Sequence, residues 1–411
     1  MIKTSNTAPG AGTGQIPAGV WTLGFVSLLM DVSSEMIHSL LPMFMVTTLG
    51  ISVAAVGLLE GLAESTALVV KVFSGALSDY LGRRKELAVL GYALGALSKP
   101  LFALSGGLGL VATGRLLDRF GKGIRGAPRD ALIADITPQH LLGAAFGLRQ
   151  SLDSVGAFVG PLVGVALMLL WADHFRAVFW VAAVPGWLAV ALLVVGLREP
   201  RQERPQRRSN PISRATIRRL PRAYWWVVGL GAVFTLSRFS EAFLVLRAQE
   251  DGIPIAFVPL LLVAMNAIYA ACAYPFGRLS DRVPHATLLG MGIVVLLAAD
   301  LVLARNTGWV ALFVGVALWG VHMGMTQGLL AAMVADTSPA PLRGTAFGVF
   351  NLASGVAMLV ASTVAGVLWQ VWGAPSTFYA GALFCLVSLV ALACQRALGA
   401  APCSDGTGSK H

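Results

Sequence analysis

Acidic side chains recur at helical spacing inside long apolar stretches of this sequence. Asp31, Glu35 and His38 are separated by four and three residues, which places them on one face of a helix. Glu60 and Glu64 are four residues apart in the next apolar stretch. Carboxyl groups in a partly dehydrated cavity can take up and release protons near neutral pH, which is what proton coupling requires. The candidates for this chemistry are Asp31, Glu35, Glu60, Glu64, Asp118 and Asp153.

Basic side chains are concentrated in Gly114 to Asp135, GRLLDRFGKGIRGAPRDALIAD, which carries five basic and three acidic residues. A charge near the centre of a bilayer costs about 3 kcal/mol on insertion scales, so such residues usually face a bundle interior or a water-filled path. Basic groups in a cavity could hold an anionic group of a solute. The alternative is mutual ion pairing that only fixes helix packing. The candidates for solute binding are Arg119, Lys122, Arg125, Arg149, Arg238, Glu241, Asn266, His322, Gln327 and Asn351. For His322, a hydrogen-bonding role in the core is the alternative.

The composition indicates what must position these residues. The chain has 411 residues, of which 56% are hydrophobic and 12% charged, whereas soluble domains carry about a quarter of their residues as charges. Apolar segments of 20 or more residues fit membrane-spanning α-helices rather than barrel strands. Twelve spans are predicted, at 19–45, 51–74, 86–105, 108–134, 141–170, 175–197, 224–248, 254–276, 286–304, 308–335, 343–371 and 376–396.

Basic residues cluster after the even-numbered spans and are few after the odd-numbered ones. By the positive-inside rule, this pattern places both termini in the cytoplasm. It also accounts for the net charge of +10 without a nucleic-acid partner. Residues 198–222 hold nine arginines and read as a solvated linker. The predicted units are a six-helix half at 1–197, a cytoplasmic basic linker at 198–222, a second six-helix half at 223–397 and a cytoplasmic tail at 398–411.

The two halves repeat in sequence. Ile133 to Gly147, IADITPQHLLGAAFG, aligns without a gap to Val334 to Gly348, VADTSPAPLRGTAFG. GALSD at 75–79 aligns with GRLSD at 277–281, at a similar offset. Two similar six-helix halves around a central path are typical of alternating-access transporters. The sequence therefore predicts an all-α membrane protein with twelve transmembrane helices in two pseudo-symmetric six-helix halves.

The connection between the second and third spans carries a specific signature. GALSDYLGRRKEL, from Gly75, resembles the loop motif of the major facilitator superfamily, and the resemblance extends in organisation over nearly the whole chain. The resemblance implies that Asp79 helps to latch the two halves in the outward-facing state. Arg83 belongs to the basic triplet that anchors the loop inside, and Arg129 is the expected partner of Asp79. The alternative is a turn with only topogenic charge. The fourth span departs from the family pattern, because Arg119 stands four residues after Arg115 where a glycine is usual.

The fifth span is similar to the antiporter motif of exporters in this superfamily. Gly147, Gly156, Gly160, Pro161 and Gly164 reproduce its spacing, although Val165 replaces the final glycine. Glycines permit close helix packing, and proline frees a backbone carbonyl and bends the helix, so this face suits a hinge or seal. Packing alone is the alternative.

The resulting hypothesis is a bacterial inner-membrane transporter that couples protons to the export of a small polar or amphiphilic, and by its basic cavity anionic, solute. The alternatives are a proton symporter that imports a solute, a divalent metal transporter, and a membrane sensor or scaffold. The expected partners are the solute, protons and the lipid bilayer, and the expected state is a monomer. The four cysteines show no CxxC spacing and no phosphate-binding loop is evident, so no cofactor, resident metal or enzyme activity is expected.

Overall fold

A computed structural model describes residues 16–81, 83–171, 174–197, 218–280, 282–305, 308–326, 328–339 and 342–399. In these ranges every regular element is helical, which confirms the predicted fold class. We number the helices by span: α1 (Ala18–His38), α2 (Val53–Leu81), α3 (Arg84–Ala103), α4 (Leu108–Ile136), α5 (Leu142–Leu170), α6 (Phe175–Gly196), α7a (Arg222–Leu236), α7b (Ala242–Glu250), α8 (Pro259–Ser280), α9 (His285–Arg305), α10a (Trp309–Thr326), α10b (Leu329–Thr337), α11 (Arg343–Trp372) and α12 (Ala374–Gly399).

Length and composition alone would qualify nine helical stretches of the described residues as membrane spans. The charge-rich α4 is not among them, because it carries too many ionised side chains for its length. Its neighbours must therefore accommodate these charges if α4 is to cross the bilayer.

Three predicted spans, the first, the seventh and the tenth, are not single continuous helices. After α1 the chain continues as short helical pieces, Leu41–Met43 and Phe44–Thr48. In the tenth span Gly328 has a φ of 74°, a left-handed conformation that glycine adopts readily, and it separates α10a from α10b. The predicted spans 19–45 and 308–335 therefore contain breaks.

The seventh span is interrupted at residues 237–241, which we call the α7 break. Ser237 Oγ donates to the Phe234 carbonyl oxygen at 2.7 Å, and the Ser240 N–H donates to Ser362 Oγ at 3.2 Å. Serine side chains thus bond to backbone groups near the point where helical pairing stops. The predicted continuous span 224–248 is wrong on this point.

The connection between the second and third spans is shorter than the sequence suggested. Helix α2 runs to Leu81 and α3 begins at Arg84, so most of the predicted loop motif is helical. The side chain of Asp79 and all of Gly82 lie outside the described residues, as do residues 198–217 of the predicted linker.

The pattern of helix packing repeats between the two halves. In the first half, α1 packs on α5 and α6, α2 on α4, and α3 on α4 and α6. In the second half, α7a packs on α11 and α12, α8 on α10a, and α9 on α10a and α12. Across the halves, α2 contacts α11 and α5 contacts α8. These equivalent pairs are the pseudo-symmetry that the sequence repeat predicts.

The two halves approach most closely where α2 begins and α11 ends. A Cβ atom on Gly57 would lie 2.4 Å from the Ser362 carbonyl oxygen, and one on Gly366 would lie 2.9 Å from that of Val53. Glycine therefore allows the two backbones to meet there. We call this end of the molecule the closed face, and the end that bears the α2–α3 connection the open face.

Glycines also bring α5 against α1. A Cβ atom on Gly156 would lie 2.8 Å from the Leu28 carbonyl oxygen, and one on Gly160 would lie 2.9 Å from that of Val32. Around Gly164 the nearest atom would be 3.7 Å away, and around Gly147 there is nothing within 4 Å. Only part of the antiporter-like motif is therefore needed for close packing.

We predict that Gly160→Ala lowers the melting temperature, because the new methyl group must displace the backbone of α1. Overpacking of this kind typically costs about 1–3 kcal/mol. Gly147→Ala is the matched control, since alanine favours a helix over glycine by about 0.5–1 kcal/mol and meets no neighbour there. Thermal unfolding of the purified variants in one detergent measures both. Equal melting temperatures for the two variants would contradict the packing role.

Candidate functional site

Two connected cavities lie between the halves. The outer cavity, of about 730 Å³, is lined by α1, α2, α4, α5 and α8. It extends toward the open face, since its wall includes Lys71 near the end of α2 and Arg129 near the end of α4. The inner cavity, of about 320 Å³, lies deeper and is walled by α1, α2 and α4 together with the α7 break. Glu35, Glu64 and Lys122 line both cavities, so the two cavities are adjacent.

Helix α1 presents the predicted acidic face to these cavities. Asp31 and Glu35 line the outer cavity, and Glu35 and His38 line the inner one. Behind them lies α5, because Cβ atoms on Gly156 and Gly160 would come within 2.9 Å of the Asp31 and Glu35 Cβ atoms. His38 Nδ1 is 3.5 Å from Glu35 Oε2. The antiporter-like glycines thus set the position of the two carboxylates.

The deepest ion pair joins α2 to α4. Arg115 donates to Glu60 at 2.6 Å, and both side chains are buried. His38 Nε2 lies 3.9 Å from the same carboxylate oxygen of Glu60. Ser240, in the α7 break, donates to that oxygen at 3.3 Å. This carboxylate therefore connects three helices of the first half with the second half.

A second group of charges pairs one turn further along α4. Arg119 Nη1 lies 3.0 Å from Glu64 Oε1, and Arg119 Nε is 3.6 Å from Asp118 Oδ2. Lys99, a buried residue of α3, donates to Asp118 at 2.7 Å and to Ser34 Oγ at 3.0 Å. Lys99 is not among the predicted site residues, because a single charge in an apolar span forms no local pattern. These contacts agree with the alternative reading of α4, in which its charges pair with those of neighbouring helices and fix helix packing.

Nearer the open face, further pairs link α4 and α5. Arg149 lies 3.1 Å from Asp153 and 3.6 Å from Asp130. Arg129 donates to Ser27 Oγ at 2.9 Å and to Asp130 at 3.2 Å. The predicted contact of Arg129 with Asp79 stays a prediction, because the Asp79 side chain lies outside the described residues.

Other basic residues at this end take different partners. Arg125 stacks over the Tyr92 ring at 4.9 Å. Arg84 forms an ion pair with Asp135, and the predicted loop residue Arg83 is 3.3 Å from Glu86 in an exposed pair. Arg83 therefore contacts the first turn of α3, which begins at the next residue.

Six charged residues of the cavity walls form no ion pair with any residue that the structure describes. They are Asp31 on α1, Lys71 on α2, Lys122 and Arg125 on α4, and Arg238 and Glu241 in the α7 break. Arg238 instead lies over the Phe234 ring, 5.6 Å from its centroid. Asn266 on α8 lines both cavities beside them. These side chains are available to a solute.

The remaining candidates lie elsewhere or outside the described residues. His322 is fully buried, its Nδ1 is 2.9 Å from the Gly292 carbonyl oxygen, and it lines neither cavity. This arrangement agrees with the alternative prediction for His322, a hydrogen-bonding role in the protein core. Asn351 also lines neither cavity, and Gln327 lies outside the described residues.

The sequence analysis also missed a buried carboxyl group in the second half. Asp300 on α9 is fully buried, and neither of its oxygens has a hydrogen-bond partner. A Cβ atom on Gly381 of α12 would lie 2.6 Å from Asp300 Oδ2, so glycine provides the space for this side chain. Asp300 lies in a span that showed only apolar periodicity.

One cluster has the composition of a divalent metal site. The ligand atoms of His38, Glu60 and Glu64 lie within 4.8 Å of one another. Both carboxylates are already paired with arginines, Arg115 and Arg119. Because a divalent cation would be repelled by these guanidinium groups, this donor set does not favour a metal site.

Comparisons with known proteins agree with this architecture. The family model described as Major Facilitator Superfamily matches residues 23–251 and 230–397. An uncharacterized MFS-type transporter of Methanocaldococcus jannaschii is 35% identical over 382 residues, which are 91% of this chain and 94% of that protein. The inner membrane transport protein YajR of Escherichia coli is 24% identical over 383 residues, or 90% and 81% of the two chains. A solved bacterial homolog to the human lysosomal transporter Spinster, in an inward-facing and occupied conformation, has a TM-score of 0.76 at 16% identity. This similarity covers 92% of this chain and 96% of that one.

We predict that Arg115→Met destabilises the protein strongly, because it leaves Glu60 buried without its cation. Removing one partner of a buried pair costs about 3–5 kcal/mol. The double variant Arg115→Met with Glu60→Gln should recover much of the lost melting temperature. The control is Arg83→Met, which removes an exposed pair worth about 0–1 kcal/mol. The pairing account fails if Arg115→Met melts like the control.

Proposed function

The chain belongs to the major facilitator superfamily, and we propose that it is a proton-coupled secondary transporter that exports a small polar or amphiphilic solute. Its two halves would rock about the cavities so that these open to each side of the membrane in turn. The observation that carries the proposal is Asp31, an unpaired carboxyl group on the wall of the outer cavity, where the other acids, Glu35, Glu64 and Asp153, each have a basic partner. An acid without a permanent cation is free to exchange its proton.

The surroundings of Asp31 support this role. The charged groups that act on it are Asp153, Arg125, Lys122 and Glu35, which belong to α5, α4 and α1. A basic solute, or movement of α4, would change the balance between these groups and so the affinity of Asp31 for a proton. Glu35 and its partner His38 lie one helical turn deeper and are the next candidates along the same face.

The other carboxylates fit the proton role less well. Glu60, Glu64 and Asp118 each lie within 3.0 Å of a basic side chain. Asp153 is 3.1 Å from Arg149. Because a cation stabilises the ionised form of a carboxyl group, these residues serve helix packing better than proton exchange.

The resemblance of α5 to the antiporter motif is our reason for proposing export. The motif glycines seal α5 against α1 at the level of Asp31 and Glu35, the arrangement expected where release of a proton is to drive movement of this interface. Import by symport would use the same fold. Resistance of cells to an identified solute supports export, and accumulation of it in intact cells supports import.

Orientation and location complete the proposal. We propose that the protein lies in the inner membrane of a bacterial cell, with both termini and the open face on the cytoplasmic side. The basic residues that flank the spans support this orientation. The basic linker is then a cytoplasmic connection. A carboxy-terminal green fluorescent protein fusion that fluoresces in intact cells would support this orientation, and a dark, fully expressed fusion would contradict it.

A sensor or scaffold that uses the basic linker for docking is the rival from another class. Deleting residues 201–219 separates the two. Full solute flux in the deletion variant argues for a transporter with a passive linker. Loss of a cellular response, in a protein that moves no solute, argues for the sensor.

The experiment begins with a thermal-shift screen of purified protein over siderophores, drugs, organic anions and divalent metals. Proteoliposomes that contain a pH-sensitive dye then report proton movement when a stabilising solute is added. We predict that Asp31→Asn reduces proton movement at least tenfold while exchange of labelled for unlabelled solute continues. Arg343→Met, which removes an exposed cation at the start of α11 that lines neither cavity, should behave like the parent protein. Full pH-driven flux in Asp31→Asn would refute proton coupling through this residue.

A further inference from the structure

The charges of the inner cavity fall into two groups. Glu64 pairs with Arg119, and Glu35 lies 3.5 Å from His38. Lys122, Arg238 and Glu241 have no ion-pair partner among the described residues. Paired charges have their electrostatic demand met within the protein, whereas the unpaired ones have not. The second group therefore defines the chemistry that a solute meets.

The unpaired charges lie on both halves of the molecule. Lys122 is on α4 of the first half and its side chain is exposed to the cavities. Arg238 and Glu241 belong to the second half, and the α7 break places both in the wall of the inner cavity. Although only three residues apart, these two do not pair with each other. The non-helical backbone thus presents a cation and an anion separately.

Apart from His38, which is charged only when protonated, the inner cavity is lined by equal numbers of acids and cations. Its acids are Glu35, Glu64 and Glu241, and its cations are Arg119, Lys122 and Arg238. A solute with a net charge would leave this confined site unbalanced, at a high cost where the dielectric constant is low. A solute with one charge of each sign would match the unpaired groups and preserve the balance.

We infer that the inner cavity binds a zwitterionic solute. Its acid group, a carboxylate or phosphate, lies between Lys122 and Arg238, and its amine faces Glu241. Asn266 offers an amide to either end, and Phe239, Trp319 and Met358 form the apolar part of the wall. A cavity of about 320 Å³ suits a compact solute with a short hydrocarbon spacer. This inference rests on the proposed function and names its substrate class.

The site also connects binding to movement of the halves. An acid group held by Lys122 and Arg238 at once draws α4 of the first half toward the α7 break of the second. Such a solute binds most tightly to the conformation in which both cations reach it, and it shifts the population toward that conformation. A cation alone would engage only Glu241.

The test uses the purified full-length protein in lipid nanodiscs and a matched probe series. The probes are 6-aminohexanoate, hexanoate, hexylamine and hexanamide, which share a six-carbon chain and differ in their end groups. Concentration-dependent thermal shifts give a dissociation constant for each. We expect 6-aminohexanoate to bind at least tenfold more tightly than hexanoate or hexylamine. Equal binding of hexanoate and 6-aminohexanoate, or no change of melting temperature with 6-aminohexanoate at concentrations up to about 10 mM, where even weak ligands bind, overturns the inference.

Variants assign the two ends of the probe. Glu241→Gln should remove the advantage of 6-aminohexanoate over hexanoate, and Lys122→Met should weaken both acids at least tenfold. Arg343→Met removes an exposed cation at the start of α11 and should change neither. If Glu241→Gln keeps the full advantage, the amine is not held as we infer. Proton-driven flux of some other solute, without zwitterion binding, would refute this inference and leave the proposed function standing. Zwitterion binding without proton movement would refute the proposed function alone.

Discussion

The structure depends on the pairing of α4 with the acids around it. This helix carries more charge than a membrane span can usually hold, and it is buried because α2 supplies Glu60 and Glu64 while α3 supplies Lys99. Each partner is within 3.0 Å, so these short contacts between opposite charges offset part of the cost of removing the charges from water. The same pairs fix the position of α4 between α2 and α3. A helix that looked anomalous in the sequence is thus the centre of the first half.

Pairing also determines which charged side chains remain free to bind a solute or to exchange a proton. The charged groups of the cavity walls that have no ion-pair partner among the described residues include Asp31 near the α1–α5 interface, Lys122 on α4, and the two charges of the α7 break. Their places follow from backbone features. Gly156 and Gly160 allow α5 to pack closely behind the acidic face of α1. The α7 break interrupts a predicted span and presents its polar side chains to the inner cavity. Ser240 donates to Glu60 across the halves, so the ion-pair network of the first half reaches the α7 break of the second.

The sequence predicted the features that depend on periodicity and repetition. Apolar segments gave the twelve spans, the aligned segments gave two equivalent halves, and helical spacing placed Asp31, Glu35 and His38 on one face. It could not predict which acid meets which base, because that depends on the rotation and depth of helices far apart in the chain. Lys99 and Asp300 were missed for the same reason, since a single charge in an apolar span has no local pattern. The α7 break was missed because the serine that anchors it, Ser362, is contributed by α11.

Alternating access of one cavity to the two sides of the membrane is the central claim, and Ala157 is the position that tests it most directly. This residue lines both cavities and lies beside the glycine seal of α5. Ala157→Cys, in a background from which the four native cysteines have been removed, can be labelled with a membrane-impermeant maleimide from either side. The account predicts reaction from the cytoplasmic side at rest, and reaction from the opposite side when a proton gradient and a bound solute are supplied. Labelling from a single side under every condition would contradict it.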